Sequence, residues 1–176
     1  EPSSYMSDLK SGIAYIRSHR FLITFFVLVG LVMFLIAPVA FLTTLQTVFK
    51  FGDAPWRLSA IEVAFALGMM VGGFALSKYE GFKNRIKTMA FSLILMAILS
   101  IALSLSTNFT MYMMVMFMFG ISIPYYNAPA NVMIQEKVEA NYLGRVFSVM
   151  GMISSSTMPL SMIIFGPLAD VWSVDG

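Results

Sequence analysis

The chain has 176 residues, of which 59% are hydrophobic and 11% charged, with a mean hydropathy of +0.82. Ordinary soluble domains carry roughly 25% charged residues, so this is membrane composition, and a net charge of +2 is too small for a nucleic-acid surface. With no Cys and one His, a disulfide framework, a thiolate metal site and an imidazole-based catalytic triad all lack their parts, which argues against an enzyme.

Residues 6–20, MSDLKSGIAYIRSHR, space Leu9, Ile13 and Ile16 helically among Lys10, Arg17 and Arg20. This spacing predicts an amphipathic linker helix within residues 1–20, lying along the inner membrane face. Gly12 weakens that helix, and a partly ordered polar tail is the competing reading. His19, beside Arg17 and Arg20, reads as an interfacial residue. The chain opens on Glu1 without a basic and apolar leader, so it reads as a piece of something longer.

A helix needs about 20 apolar residues to cross a hydrocarbon core of ~30 Å. Residues 21–176 hold five such stretches, at about 21–45, 58–77, 88–106, 111–135 and 146–169. The first is uncharged and contains Pro38, a bending point. The second carries Glu62, and an ionisable group inside a span is a candidate for proton or substrate handling. Glu62 lies about one turn from the outer boundary, so snorkelling or pairing with Arg57 is the competing reading. Ala60, Ala64, Gly68 and Gly72 recur every fourth residue in this span and mark a packing face. The third span is uncharged, and Ser92, Ser100 and Ser104 share one of its sides for packing.

The fourth span runs into SIPYYNAPANVMIQEK, where Asn127, Asn131 and Gln135 recur every fourth residue and so share one helix face. Lipid cannot satisfy their amides, which must face protein or a wet cavity; cavity lining and helix-to-helix glue are both open. Pro124 and Pro129 remove backbone donors, and with Gly120 they predict a kinked or locally unwound helix. The fifth span follows Gly144 and Arg145 and ends near GPLAD, residues 166–170.

Short polar turns make successive spans antiparallel. With the amino end inside, the inner segments hold Lys10, Arg17, Arg20, Lys78, Lys83, Arg85, Lys87, Lys137 and Arg145, and the outer ones only Lys50 and Arg57. Such an excess of inner Lys and Arg predicts a multi-pass protein with its amino end in the cytoplasm and its carboxyl end outside.

Several pieces, in order, carry a resemblance. DLKSGIAYIRSHRFL resembles the central cytoplasmic segment leading into the seventh helix of a major facilitator superfamily transporter of the bacterial drug and macrolide efflux branch. GGFALSKYEGFKNRIK, residues 72–87, is similar to a worn copy of the superfamily's loop motif. QEKVEANYLGRVFSVMG, residues 135–151, resembles the inner loop between helices ten and eleven, and GPLAD the outer end of helix eleven. The likeness covers nearly the whole chain. In the loop motif Gly73 fits the first glycine, but Ser77 stands where the family has Asp, Lys78 where it has Arg, and Gly81 comes one residue late.

The resemblance implies an all-α integral membrane protein, five helices of a twelve-helix major facilitator fold, with the amino-terminal half and the twelfth helix as partners beside the lipid bilayer. It implies proton-coupled efflux of small amphiphilic compounds across the cell membrane by alternating access, with no cofactor beyond the coupling proton. Gln46, Asn127 and Asn131 are then candidate polar lining, Tyr125 or Tyr126 aromatic contacts, and Glu62 a proton-coupling candidate. Arg145, with Glu136 or Glu139 as partner, is the candidate inner-gate contact, together with the loop residues Gly73, Ser77, Lys78 and Gly81. A non-transporting scaffold subunit, with the amide stripe as a helix interface, is the alternative.

Overall fold

A computed structural model describes residues 5–78 and 84–172, with the side chains of 5, 6, 38–42, 158 and 166–172 outside the described set. Within these residues the elements are six helices: α1 (Tyr5–Ser18), α2 (Arg20–Phe51), α3 (Pro55–Lys78), α4 (Arg85–Leu105), α5 (Phe109–Lys137) and α6 (Leu143–Trp172). The last five are long and apolar enough to cross a membrane, as the hydropathy of the sequence predicts.

Local signals set the ends. Asn84 accepts the Lys87 N–H at 3.2 Å through its side chain and starts α4. Asn108 accepts the Thr110 N–H at 3.1 Å ahead of α5. Pro55 begins α3, where its missing N–H costs nothing. α2 outruns its predicted end near residue 45 and continues to Phe51, because Thr43, Thr44 and Gln46 are uncharged and the next turn signal is Gly52, at φ +94°.

The chain divides into two compact units, residues 1–42 with 137–176, and residues 43–136. In the first, α1 packs on the start of α6. Leu9, Ile16, Leu22, Phe25, Phe26, Val29, Val138, Val146 and Val149 are its buried apolar groups. Farther along, the Ser161 hydroxyl donates to the Phe34 carbonyl at 3.4 Å, and the Phe34 and Phe165 rings lie 5.6 Å apart, which joins α2 to α6.

The second unit is organised by a seam between α3 and α5. A Cβ on Gly68 would lie 2.1 Å from the Phe117 carbonyl oxygen, and one on Gly120 would lie 2.2 Å from that of Phe65. Each helix therefore presents a glycine to the other's backbone, as small residues do where membrane helices meet. Gly120, expected as a bending point, is here a point of close approach. α4 joins the seam through Ser92, which is buried and donates to the Ser122 carbonyl of α5 at 2.6 Å.

The expected unwinding of α5 does not occur. Pro124 and Pro129 sit inside an unbroken helix from Phe109 to Lys137. Pro129 is fully buried, so packing on the inward side holds the helical path although two backbone donors are missing. Pro38 lies within α2, but its side chain is outside the described residues.

Candidate functional site

The 29 residues of α5 divide lengthwise by chemistry. Tyr112, Phe119, Gly120, Ser122, Tyr126, Pro129, Ala130 and Ile134 are buried. The amides follow toward the end of the helix: Asn127 and Gln135 are exposed and Asn131 is half-buried. Among the described residues none of the three makes a side-chain hydrogen bond to another helix. Of the two tyrosines expected as aromatic contacts, Tyr125 is half-buried beside the stripe. Tyr126 is only 5% exposed, and its ring packs inward because it follows the turn that carries Ser122 and Pro129. That is a correction: Tyr126 belongs to the packed side.

Gln46 is a second correction. Its side-chain amide donates to the Leu103 and Ser104 carbonyls at 3.3 and 3.5 Å, and its oxygen receives the Tyr112 hydroxyl at 3.4 Å. The last carbonyls of a helix have no partner within it, and Gln46 serves those of α4 instead of lining an open surface. Lys50 joins it, donating to the Ser104 and Ser106 carbonyls at 2.7 and 3.3 Å, a cation placed on the negative end of the helix dipole. Tyr112, wholly buried with Ile61 and Leu103, was not singled out from sequence. Its only signal was a phenol near the start of an apolar span, a group that needs a hydrogen-bond partner when buried.

Glu62 is exposed on α3, beside the face of Ile61, Ala64, Gly68 and Gly72 that packs inward. It forms no ion pair among the described residues. Arg57, its expected partner, instead lies over the Trp56 ring, 5.4 Å from the centroid.

The described residues assigned to the inner gate each have local surroundings of their own. Gly73 has open space where a Cβ would stand. The Ser77 hydroxyl donates back to the Phe74 carbonyl of its own helix at 2.8 Å, and Lys78 lies 5.2 Å from the centre of the Phe74 ring. Gly81 lies outside the described residues. Arg145 pairs with neither Glu136 nor Glu139. Its Nε donates to Asp8 of α1 at 3.0 Å, while Glu136 at the end of α5 pairs with Arg85 at the start of α4.

Asp8 is thus a missed residue, and it is one of several contacts that dock α1. Gly12 runs against the Arg145 backbone, with room for no Cβ: the carbonyl oxygen would be 2.9 Å away. The Tyr15 ring stacks on Tyr142 at 4.3 Å, and its hydroxyl oxygen accepts the Glu139 N–H at 3.2 Å. Gly12, which weakens an isolated helix, is what lets this one dock.

Among the described residues no group of His, Asp and Glu is arranged to hold a metal. The candidate features are an amide row on α5 and a glycine seam between α3 and α5 in the second unit, with ion pairs at helix ends in each unit.

Comparison with known proteins agrees with this architecture. The family model described as Major Facilitator Superfamily matches residues 3–170. The chain is 31% identical over 169 residues to macrolide efflux protein A of Streptococcus pyogenes, covering 95% of this chain and 42% of that protein. It is 30% identical over 161 residues to macrolide efflux protein A of Enterococcus faecalis, covering 90% of this chain and 50% of that one. The chain thus spans about half the length of the curated relatives it matches. No solved structure gives a significant match. With a family match over most of its length and five membrane-length helices, this multi-pass membrane chain belongs to the major facilitator superfamily.

Proposed function

We infer that the chain is the carboxyl-terminal half of a secondary active transporter that exports small amphiphilic compounds by alternating access, driven by protons. The observation that carries this reading is the open amide face of α5. Lipid offers the amides of Asn127, Asn131 and Gln135 no partner, and Asn127 and Gln135 stand exposed farther along α5 than the glycine contact with α3. A face of this kind suits a wet cavity between two helical bundles, where a few polar groups orient a largely apolar cargo.

The relatives named for macrolide efflux support an amphiphilic cargo. In this reading the partners are the bilayer, the amino-terminal half and a twelfth helix, with the amino end of this chain in the cytoplasm. Glu62 is the candidate for proton coupling, an exposed acid within a span. Tyr125, beside the stripe, is the candidate aromatic contact.

The test is efflux of a dye or macrolide by the full-length protein in energised inverted vesicles, with and without collapse of the pH gradient. The expected result is gradient-dependent transport, reduced about tenfold in N127A/N131A, equal to about 1.4 kcal/mol of lost stabilisation. E62Q, measured beside it, should abolish dependence on the gradient while the protein stays folded. With any cysteine outside these 176 residues replaced by serine, N127C also gives a labelling site, since this stretch has none of its own. Protection of N127C from aqueous thiol reagents in every condition, with no transport of any amphiphile tried, would favour the scaffold reading.

A further inference from the structure

The face of α1 turned away from α6 has a chemistry of its own. Lys10, Ile13 and Arg17 follow one another at intervals of three and four residues, so they share a side of the helix. All three are exposed, Ile13 to 43%, and the exposed run continues through Arg20 and Phe21 at the start of α2. Lys137, at the end of α5, adds a fourth cation, its ammonium 5.9 Å from the centre of the Phe21 ring. The buried side of the same helix carries Leu9, Gly12 and Ile16.

None of these four cations forms an ion pair among the described residues. The nearby acid Asp8 is engaged by Arg145. The result is a stripe of unpaired positive charge interleaved with two exposed apolar side chains.

Its position in the fold suggests what it meets. Asp8, Gly12 and Tyr15 all contact residues between 139 and 145, a short segment around the start of α6. The start of α6 thus holds one face of α1, a helix of 14 residues, and leaves the opposite face open. Only His19 separates α1 from α2, the first membrane-length helix, so the stripe stands at the boundary between headgroups and hydrocarbon.

We propose that Lys10, Arg17, Arg20 and Lys137, with Ile13 and Phe21 between them, form a binding surface for anionic phospholipid headgroups. The cations meet the phosphates, and the two apolar side chains enter the acyl boundary, as in helices that lie in the plane of a membrane. Docking on α6 holds α1 in that orientation, so the lipid contact is fixed to the inner end of the α5–α6 connection. The inference rests on the orientation proposed above only for which leaflet is met.

The experiment places an environment-sensitive fluorophore on A14C, at an exposed site between the cations, with any cysteine outside these 176 residues replaced by serine. The full-length protein is reconstituted in nanodiscs, and quenching by brominated phosphatidylglycerol is compared with quenching by brominated phosphatidylcholine. Each basic residue near an anionic surface is worth about fivefold in association, so half-quenching should come at a mole fraction of the anionic lipid at least about fivefold lower, even where a single cation is engaged. Salt at about 1 M, where the screening length is ~3 Å, should erase the difference without any substitution.

K10Q/R17Q/R20Q should also erase it, and K10R/R17K/R20K should keep it. Identical curves for the two lipids would overturn the proposal, and so would a preference that survives in the neutral variant. Loss of the preference on adding inorganic phosphate at constant ionic strength would overturn it too, by assigning the site to a soluble anion. Nanodiscs have no transmembrane gradient, so none of these outcomes depends on whether the protein transports.

Discussion

Two stretches of α5 meet their surroundings on opposite terms. At the first the helix offers Gly120 to α3, and the backbones come so close that neither this residue nor Gly68 of α3 has room for a Cβ. About two turns farther along it offers Asn127, and beyond that Gln135, both exposed, with donors and acceptors that this chain's other helices leave unused among the described residues. The first stretch is set by shape, and tolerates almost no added volume. The second keeps hydrogen-bonding capacity in reserve. One helix can thus be fixed in place and still present a polar surface, because the residues that hold it and those left open are different residues.

Three substitutions can break or sharpen this contrast. The largest effect belongs to the seam: G120A puts a methyl group where the Phe65 carbonyl oxygen would be 2.2 Å away, and backbone cannot yield as a side-chain tip can. Overpacking typically costs about 1–3 kcal/mol, and this contact belongs at the upper end. A thermal denaturation midpoint in detergent equal to that of the wild type would show that the seam is looser than described.

A middling effect is expected at the α4 terminus. Q46L removes the donor to the Leu103 and Ser104 carbonyls and the acceptor for Tyr112. Lys50 remains to serve Ser104, so the loss should be about 1 kcal/mol, typical of a single hydrogen bond. Measured transport should survive, since Gln46 supports the helix end and stands apart from the amide face.

The smallest change in stability is expected where the change in activity is greatest. N127A should leave the denaturation midpoint within about 0.5 kcal/mol of the wild type, as surface substitutions do, while lowering efflux. A large loss of stability would reassign the amide to helix packing.

How much of this can be read from sequence depends on range. The five spans follow from hydropathy, because the bilayer imposes a length that composition alone reports. The glycine row of α3 and the amide row of α5 are visible as four-residue repeats, because a helix turns repeats into faces. What those faces meet is not local information. Gln46 bonds to carbonyls 57 and 58 residues away, and Arg145 to an acid 137 residues away. The nearby Glu136 and Glu139 seemed the natural partners for Arg145 by proximity in sequence, yet Asp8 takes the contact because Gly12 brings α1 against the Arg145 backbone. Proline spacing in α5 allowed local unwinding, yet the helix runs on through Pro124 and Pro129 without interruption.

The seam between α3 and α5 also has a consequence for how the protein is made. Gly68 and Gly120 are 120 − 68 = 52 residues apart in the chain, and at about 5–20 residues per second that separation takes roughly 3–10 s to synthesise. Through that interval α3 is complete and the backbone that fills its notch is not yet made. α4 must be threaded before the notch can be closed, so the order of insertion and the order of packing differ: the third and fifth helices lock together, and the fourth is fastened against them through Ser92.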